Sequence, residues 1–296
     1  MRDDFTPTWS YWAKWAYIFA LVFALMLPVF VTIYISFNEH GFGAAIYEFT
    51  FDWYWVVFGD PQLVVSLKWT AYLAIGAVGC AVPMGLLAAK FYKTTRYKVW
   101  FVTLMLSPLF VPGDILGSSL LVYFKNLNRM FESLSDLLGV EWFYGWFELG
   151  FGTALVGQLL WTLPYAFIVI LITMSRYREQ QTEAARDCGA TAWQAFWQVE
   201  FPQIRVGVLS ACSFVTILSF NEYARTNLLK GGFDTFTSLL ISQMLNTGMS
   251  SESYAMGGIV SGTSMLVIGS ILIYSLIRAD RRERKDRAMH EPLMSG

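Results

Sequence analysis

The sequence predicts an all-α integral membrane protein with six transmembrane helices. Of its 296 residues, 55% are hydrophobic and only 15% are charged, whereas soluble globular domains carry about 25% charged residues. Six apolar runs approach or exceed the roughly 20 residues that a helix needs to cross a bilayer. The loops between them alternate between basic and acidic, a pattern typical of multi-pass membrane proteins. The net charge of −1 argues against a nucleic-acid-binding protein.

The six runs are almost free of charged residues and do not alternate polar with apolar positions, which excludes the strands of a β-barrel. The first run lacks the small-residue cleavage site of a signal peptide, so we expect it to remain as the first helix. The predicted spans are Trp15–Phe37, Trp69–Ala89, Val99–Phe124, Phe151–Ser175, Val206–Tyr223 and Tyr254–Ile277.

Basic residues gather in alternate loops. Most of them lie before the third span, after the fourth span and in the C-terminal tail, whereas the loop at 38–67 has four acidic residues and no Lys or Arg. Because basic loops stay on the cytoplasmic side, both termini are predicted to be cytoplasmic. The chain then divides into a cytoplasmic segment 1–14, a six-span domain 15–277 and a basic cytoplasmic tail 278–296.

The loop at 176–204, between the fourth and fifth spans, has a helical composition. Its first half is rich in helix-forming residues, and Gly189 follows where a glycine commonly ends a helix. Aromatic residues then recur on one face of a second short helix, which Pro202 is expected to end. The sequence therefore predicts a cytoplasmic helix pair with a tight glycine bend. The alternative is an amphipathic helix that lies on the membrane surface.

The spacing within this loop resembles the EAA loop of permease subunits of bacterial ABC importers. That pattern is EAA, three residues, Gly, nine residues and I-x-L-P. Here Glu183-Ala184-Ala185 is followed by Gly189 and by Val199-Glu200-Phe201-Pro202 at the same spacing. Val199 and Phe201 replace Ile and Leu, and both substitutions remain apolar.

Three further segments resemble permeases of the spermidine/putrescine PotC type. The segments are Ser107–Phe124, Ser219–Gly232 and Ser238–Ala255. In the first segment, Gly113 separates the proline from the acid that usually follows it directly. In the second segment, Asn221 stands in place of an acid, and in the third segment Ser251 stands in place of a proline.

This resemblance implies a type I ABC importer permease in the bacterial inner membrane, where it forms half of a translocation pathway. The implied partners are an ATPase dimer, a second permease in a heterodimer rather than a homodimer, an extracytoplasmic solute-binding protein and membrane lipid. The chain has no G-x-x-x-x-G-K-[ST] phosphate loop, so it is predicted not to be an enzyme and to hold no cofactor, with ATP and Mg bound by the ATPase. The residues expected to contact the ATPase are Glu183, Ala184, Ala185, Arg186, Asp187 and Gly189.

Two acidic residues inside predicted spans suggest a solute pathway, because charges in the bilayer are costly and mark functional sites. Asp114 and Glu222 lie about 24 Å and about 26 Å of helix rise from the cytoplasmic boundary, so we expect them at similar depth, lining a cavity for a cationic solute. The resemblance to the PotC type implies that this solute is a polyamine or a similar small cation. Alternatively, Glu222 reaches the outer headgroups or pairs with Arg225, and Asp114 bonds across a helix interface. The candidate pathway residues are Asp114, Trp161, Tyr165, Asn221, Glu222 and Tyr223.

Other functions remain open from the sequence. The resemblance also allows ABC import of ferric iron, opines or amino-acid-like compounds, or phosphonates. An ATP-independent secondary transporter would need an internal repeat, and no convincing repeat is visible. A membrane enzyme would need more titratable groups at the depth of the two acids than the spans supply.

Overall fold

The computed structural model describes residues 9–139 and 144–266, together with residues 269, 270 and 273. This part of the chain is helical, and its only β pairing is one antiparallel bridge between Asn38 and Phe49. The helices are α1 (Trp9–Ser36), α2 (Asp52–Gly59), α3 (Pro61–Thr94), α4 (Lys98–Leu106), α5 (Gly113–Leu138), α6 (Phe151–Met174), α7 (Gln180–Asp187), α8 (Ala192–Ala195), α9 (Phe201–Phe220), α10 (Ala224–Leu229), α11 (Phe236–Thr247) and α12 (251–266).

Four helical runs in the described residues are long and apolar enough to cross a membrane, and a bent helix pair brings the number to five. The predicted first, second and fourth spans lie almost entirely within α1, α3 and α6. The predicted fifth span overlaps α9 and extends three residues beyond it. The four runs are Tyr11–Ser36, Pro61–Thr94, Phe151–Met174 and Ala192–Phe220.

The predicted third span is wrong as a single helix. Lys98–Phe110 and Gly113–Leu138 meet at an angle of 96°. The chain leaves α4 through a 3₁₀ turn at Ser107–Phe110, and Val111 is extended immediately before Pro112. A residue before proline is driven out of the helical conformation, and proline has no N–H to continue the helix. Pro112 then serves as the N-cap of α5, so the helix restarts in a new direction.

Some sequence predictions lie outside the described residues. These are residues 1–8 of the 1–14 segment, residues 267, 268, 271, 272 and 274–277 of the predicted sixth span, and the basic tail 278–296. Within the predicted sixth span, helix is described over α12 and at residues 269, 270 and 273.

The chain forms two compact units. One comprises the residues up to Pro61 together with Leu240–Thr263, and the other includes Gln62–Leu239. In the first unit, the hydroxyls of Ser36 and Tyr54 lie 2.7 Å apart. A Cβ added at Gly258 would fall 2.7 Å from the Tyr54 oxygen, so α12 approaches these side chains closely.

The second unit is built around the contact between α6 and α9. Phe167 and Ile170 of α6 and Val215 of α9 are fully buried in one apolar cluster, which α3 joins through small residues. At Gly85 of α3, an added Cβ would lie 3.0 Å from the backbone nitrogen of Phe167. Small residues permit this close helix approach, which is how membrane helices gain packing energy without a strong hydrophobic effect.

Candidate functional site

Two short helices occupy the 176–204 loop. The first, α7, carries the EAA motif and ends before Gly189, whose φ of +90° is a left-handed backbone conformation. Glycine adopts this conformation without steric cost. The backbone at Gly189 therefore forms the tight bend that the sequence predicts.

The second short helix, α8, starts with a capping box. The Gln194 N–H donates to the Thr191 hydroxyl at 3.3 Å, and the Thr191 N–H donates to the Gln194 side-chain oxygen at 2.9 Å. These two bonds satisfy N–H groups that the start of a helix leaves free. They fix where the chain re-enters a helix after the bend.

Pro202 does not end this second helix, contrary to the sequence prediction. The helical run continues from Ala192 to Phe220 through a π-helical turn at Phe196–Glu200. Pro202 lies in the first turn of α9, after this widened turn. Helices tolerate a missing proline N–H where local π geometry adjusts the backbone hydrogen bonds.

The predicted ATPase-contacting residues lie together on α7 and at the bend. Ala185 is partly buried and the other residues are exposed. A Cβ added at Gly189 would meet open space. Most of this surface is therefore exposed in the described part of the chain. Its residues are Glu183, Ala184, Ala185, Arg186, Asp187 and Gly189.

Side chains at both edges hold α7 against the membrane helices. The Thr182 hydroxyl bonds to that of Tyr177, which follows α6, and Gln181 accepts a hydrogen bond from Gln203 at the start of α9. Residue contacts therefore link the motif-bearing helix to both spans that flank the loop.

Glu222 forms a buried ion pair with Arg225. Nη1 of Arg225 lies 3.0 Å from both carboxylate oxygens, and the Arg225 backbone N–H donates to Oε1 at 2.9 Å. Glu222 is 7% exposed and Arg225 is 4% exposed. The alternative of pairing with Arg225, rather than reaching the headgroups, is therefore the arrangement that the structure shows.

Two aromatic rings lie beside this ion pair. The Arg225 guanidinium carbon lies 4.7 Å from the centroid of the Trp161 ring, a cation–π distance. Tyr165 meets Trp161 edge-on at 5.1 Å. Three candidate pathway residues, Trp161, Tyr165 and Glu222, thus form one cluster around Arg225.

The remaining candidates lie in other surroundings. Asp114 is exposed in the first turn of α5, and its backbone carbonyl accepts a hydrogen bond from Ser118 at 2.7 Å. Asn221 is exposed and donates to the Ile217 carbonyl at 2.9 Å. Tyr223 is partly buried, and its hydroxyl accepts a 3.4 Å bond from Asn227. Of the two acidic candidates, Asp114 is therefore exposed, whereas Glu222 is buried.

Sequence reasoning missed a buried polar network around α10. Gln158 donates to the Thr226 hydroxyl at 3.1 Å and accepts a bond from Ser219, while Thr153 donates to the Leu229 carbonyl at 2.8 Å. Hydrogen bonds of this kind satisfy polar groups that would be costly in a membrane interior. The signal was a glutamine in an otherwise apolar span.

Comparison with known proteins places the chain in a family. The family model described as binding-protein-dependent transport system inner membrane component matches residues 81–284. The chain belongs to this family. Its resemblance to ABC importer permeases of the PotC type is confirmed. It is a multi-pass membrane permease, and its relatives are transport permeases.

Two relatives match this permease over most of its length. It is 21% identical to a spermidine/putrescine transport system permease protein PotC homolog of Mycoplasma pneumoniae, over 92% of this chain and 93% of the relative. It is 22% identical to the osmoprotective compounds uptake permease protein GgtC of Synechocystis, over 88% and 95%.

The permease also shares its fold with a solved structure. That structure is a bacterial ABC transporter involved in the import of the acidic polysaccharide alginate. The two chains are 14% identical with a TM-score of 0.62, and the match covers 90% of this chain and 94% of the other. This similarity establishes the fold and does not identify the solute.

Proposed function

We propose that this permease forms one half of the translocation pathway of an ATP-binding-cassette importer and that the 176–204 loop receives an ATPase subunit. The exposed α7 surface, with its EAA spacing and left-handed Gly189, carries this proposal. ATP and Mg bind the partner ATPase dimer, and this chain converts the motion of that dimer into rearrangement of the spans.

The shape of α7 suits such docking. Ala184 and Ala185 let another surface come close, while Glu183, Arg186 and Asp187 offer charges of both signs that fix a register. Coupling requires that the ATPase contact this surface differently in its open and closed states. The contacts of α7 with Tyr177 and Gln203 would carry that difference toward α6 and α9.

Three partners complete the assembly. One six-span chain supplies half of a pathway, so a second permease is needed, and we propose a heterodimer. Among the relatives are the sulfate transport system permease proteins CysW of Synechocystis and CysT of Escherichia coli. A solved alginate transporter was crystallised with its pentasaccharide-bound periplasmic protein. These names support a second permease and an extracytoplasmic binding protein as partners here. From the basic loops of the sequence, we further propose that both termini of this chain lie in the cytoplasm of a bacterium.

Gly189→Asp is expected to uncouple ATP hydrolysis from uptake while the chain still folds and inserts. The side chain enters open space, so the folded core is not disturbed. It forces an L-residue into φ +90° and adds a charge at the docking surface. Solute uptake and ATP hydrolysis, measured together in proteoliposomes, give the ratio that should fall.

Gly43→Asp is the matched control. Gly43 has a φ of +84°, and a Cβ there also meets nothing within 4 Å. The local strain is therefore similar, but the residue lies outside the 176–204 loop. Uptake per ATP at the wild-type value in Gly189→Asp, or an equal loss in both variants, would remove the coupling assignment from this loop.

We further propose a polyamine or a similar small cation as the solute. PotC-type permeases recur among the relatives, although others are named for osmoprotective compounds, starch degradation products and sulfate. Because Arg225 occupies the Glu222 carboxylate, Asp114 is the acid we propose for solute contact. It lies at the 96° bend, where the interrupted backbone offers carbonyl groups as further acceptors.

Asp114→Asn is expected to raise the half-saturation concentration for spermidine uptake by about twofold to fivefold, the effect of losing one partly hydrated charge partner. Asp114→Glu retains the charge and should stay near the wild type. Radiolabelled spermidine uptake into proteoliposomes measures both. An unchanged half-saturation concentration in Asp114→Asn would exclude this carboxylate from the pathway.

A further inference from the structure

Two lysines near the C-terminal end of α3 bind both ends of the 176–204 loop. Lys90 Nζ lies 2.9 Å from Glu200 Oε2, and Lys93 Nζ lies 3.3 Å from Glu179 Oε1. Residues three apart lie on one face of a helix. One face of α3 therefore binds the loop at two points, near the start of the loop and near its junction with α9. In the sequence, both lysines belong to the basic residues before the third span, which indicate membrane orientation.

The Lys90–Glu200 pair is the more enclosed of the two. Glu200 is 7% exposed and lies in the π-helical turn that leads into α9. The same lysine nitrogen lies 4.2 Å from the ring centroid of Phe196, in the same turn. A buried carboxylate without its partner is costly, so this turn is held in place by Lys90.

Lys93 secures the other end of the loop. Its ammonium group donates to the Tyr177 carbonyl at 3.3 Å and lies 5.4 Å from the ring centroid of Tyr177, just after α6. Its side chain is 18% exposed, against 58% for that of Glu179. Lys93 therefore binds the loop through a charge and through the backbone.

A cavity of about 270 Å³ lies beside the two ion pairs. It is lined by both pairs and, from α7, by Thr182, Glu183 and Arg186. The ion pairs thus border a space that the end of α3 shares with α7. If the loop moves, these lysines can pull the C-terminal end of α3 with it.

We propose that Lys90 and Lys93 are positioning residues for energy coupling, which transmit movement of the 176–204 loop to α3. The covalent chain joins the loop only to α6 and α9, so α3 would otherwise follow only through helix packing. This inference rests on the proposed function, because it assumes that an ATPase moves the loop. Together the pairs make the loop and the α3 end move as one body.

The test compares charge reversal with charge exchange in the complete assembly in proteoliposomes. Lys93→Glu and Glu179→Lys should each lower spermidine uptake per ATP hydrolysed by about fivefold, and the double exchange should restore it to within about twofold. Rescue by exchange would not follow if each side chain acted independently of the other. Arg96→Glu reverses an exposed charge next to α3 and should leave the ratio unchanged.

The Lys90–Glu200 pair needs a different variant, because Lys90→Met alone would leave the buried Glu200 unpaired. Lys90→Met with Glu200→Gln removes both charges, so the chain should fold yet lose coupling by about fivefold or more. Lys90→Arg should retain coupling. A ratio equal to the wild type in both Lys93→Glu and the neutral double variant would overturn the proposal.

A second measurement separates this inference from the solute and from the proposed function. Spin labels on the exposed Cys188 and on Phe91→Cys, with Cys80 and Cys212 replaced, report the distance from the loop to α3. If wild-type proteoliposomes take up no spermidine, a narrow distance distribution that broadens in the neutral double variant still supports the proposed role of Lys90 and Lys93. Equal distributions in the two proteins would overturn it, whatever the solute.

Discussion

Arg225→Met is expected to lower the free energy of unfolding by about 3–5 kcal/mol, because it leaves a buried carboxylate without its partner. Nη1 of Arg225 is the side-chain donor to both oxygens of Glu222. The substitution also removes the cation from the face of the Trp161 ring. Thermal unfolding in detergent, followed by tryptophan fluorescence, measures the loss.

The double variant Glu222→Gln/Arg225→Met decides what the pair does. Neutralising both partners removes the unpaired charge, so most of the lost stability should return. Glu222→Gln alone should lower the unfolding temperature and leave the half-saturation concentration for spermidine unchanged. A Glu222→Gln variant with wild-type stability and weakened uptake would instead assign Glu222 to the solute pathway.

Gly207→Ala is expected to disrupt the packing of α6 on α9, with a cost of about 1–3 kcal/mol or more. The added Cβ would lie 2.5 Å from the Cβ of Thr173 and closer still to its hydroxyl oxygen. A β-carbon cannot swing aside as a flexible side-chain end can, so α6 and α9 must separate. The same thermal unfolding assay reports the effect.

Gly79→Ala is the matched control within a span. Gly79 lies in the interior of α3, and a Cβ there meets nothing within 4 Å. Replacing a glycine inside a helix by alanine is favourable by about 1 kcal/mol, so this variant should be as stable as the wild type or more so. Equal destabilisation by both substitutions would show that the Gly207 contact does not govern the packing of α6 on α9.

The apolar runs predicted most of the helices because hydrocarbon imposes a minimum length that a sequence records directly. The bend in the predicted third span could not be predicted in the same way. Prolines also lie inside the continuous helices α1, α3 and α6, at Pro28, Pro83 and Pro164. A proline alone therefore does not decide whether a membrane helix breaks.

Tertiary packing accompanies the break. At Gly113 an added Cβ would lie 3.1 Å from the Cβ of Ala224, and at Gly117 it would lie 3.2 Å from the Cα of Arg225. The start of α5 thus fits closely against α10 in the new direction. The sequence contains both glycines, but nothing in their spacing names α10 as the element they meet.

The candidate site divides in the same way. The EAA spacing and Gly189 were readable because they depend on local order along the chain. The spacing of Glu222 and Arg225 raised the possibility of a pair, and only their burial distinguished pairing from contact with headgroups. Lys90 and Lys93 meet partners about ninety residues or more away, so the sequence could not show what they bind.

Purification of the tagged permease from its native membrane in mild detergent, followed by mass spectrometry, tests most directly whether this chain is half of an ABC importer. We expect an ATPase, a second six-span permease and a solute-binding protein to be recovered with it. Recovery of the chain alone, or only with copies of itself, would contradict that assembly and would favour a transporter that works without ATP.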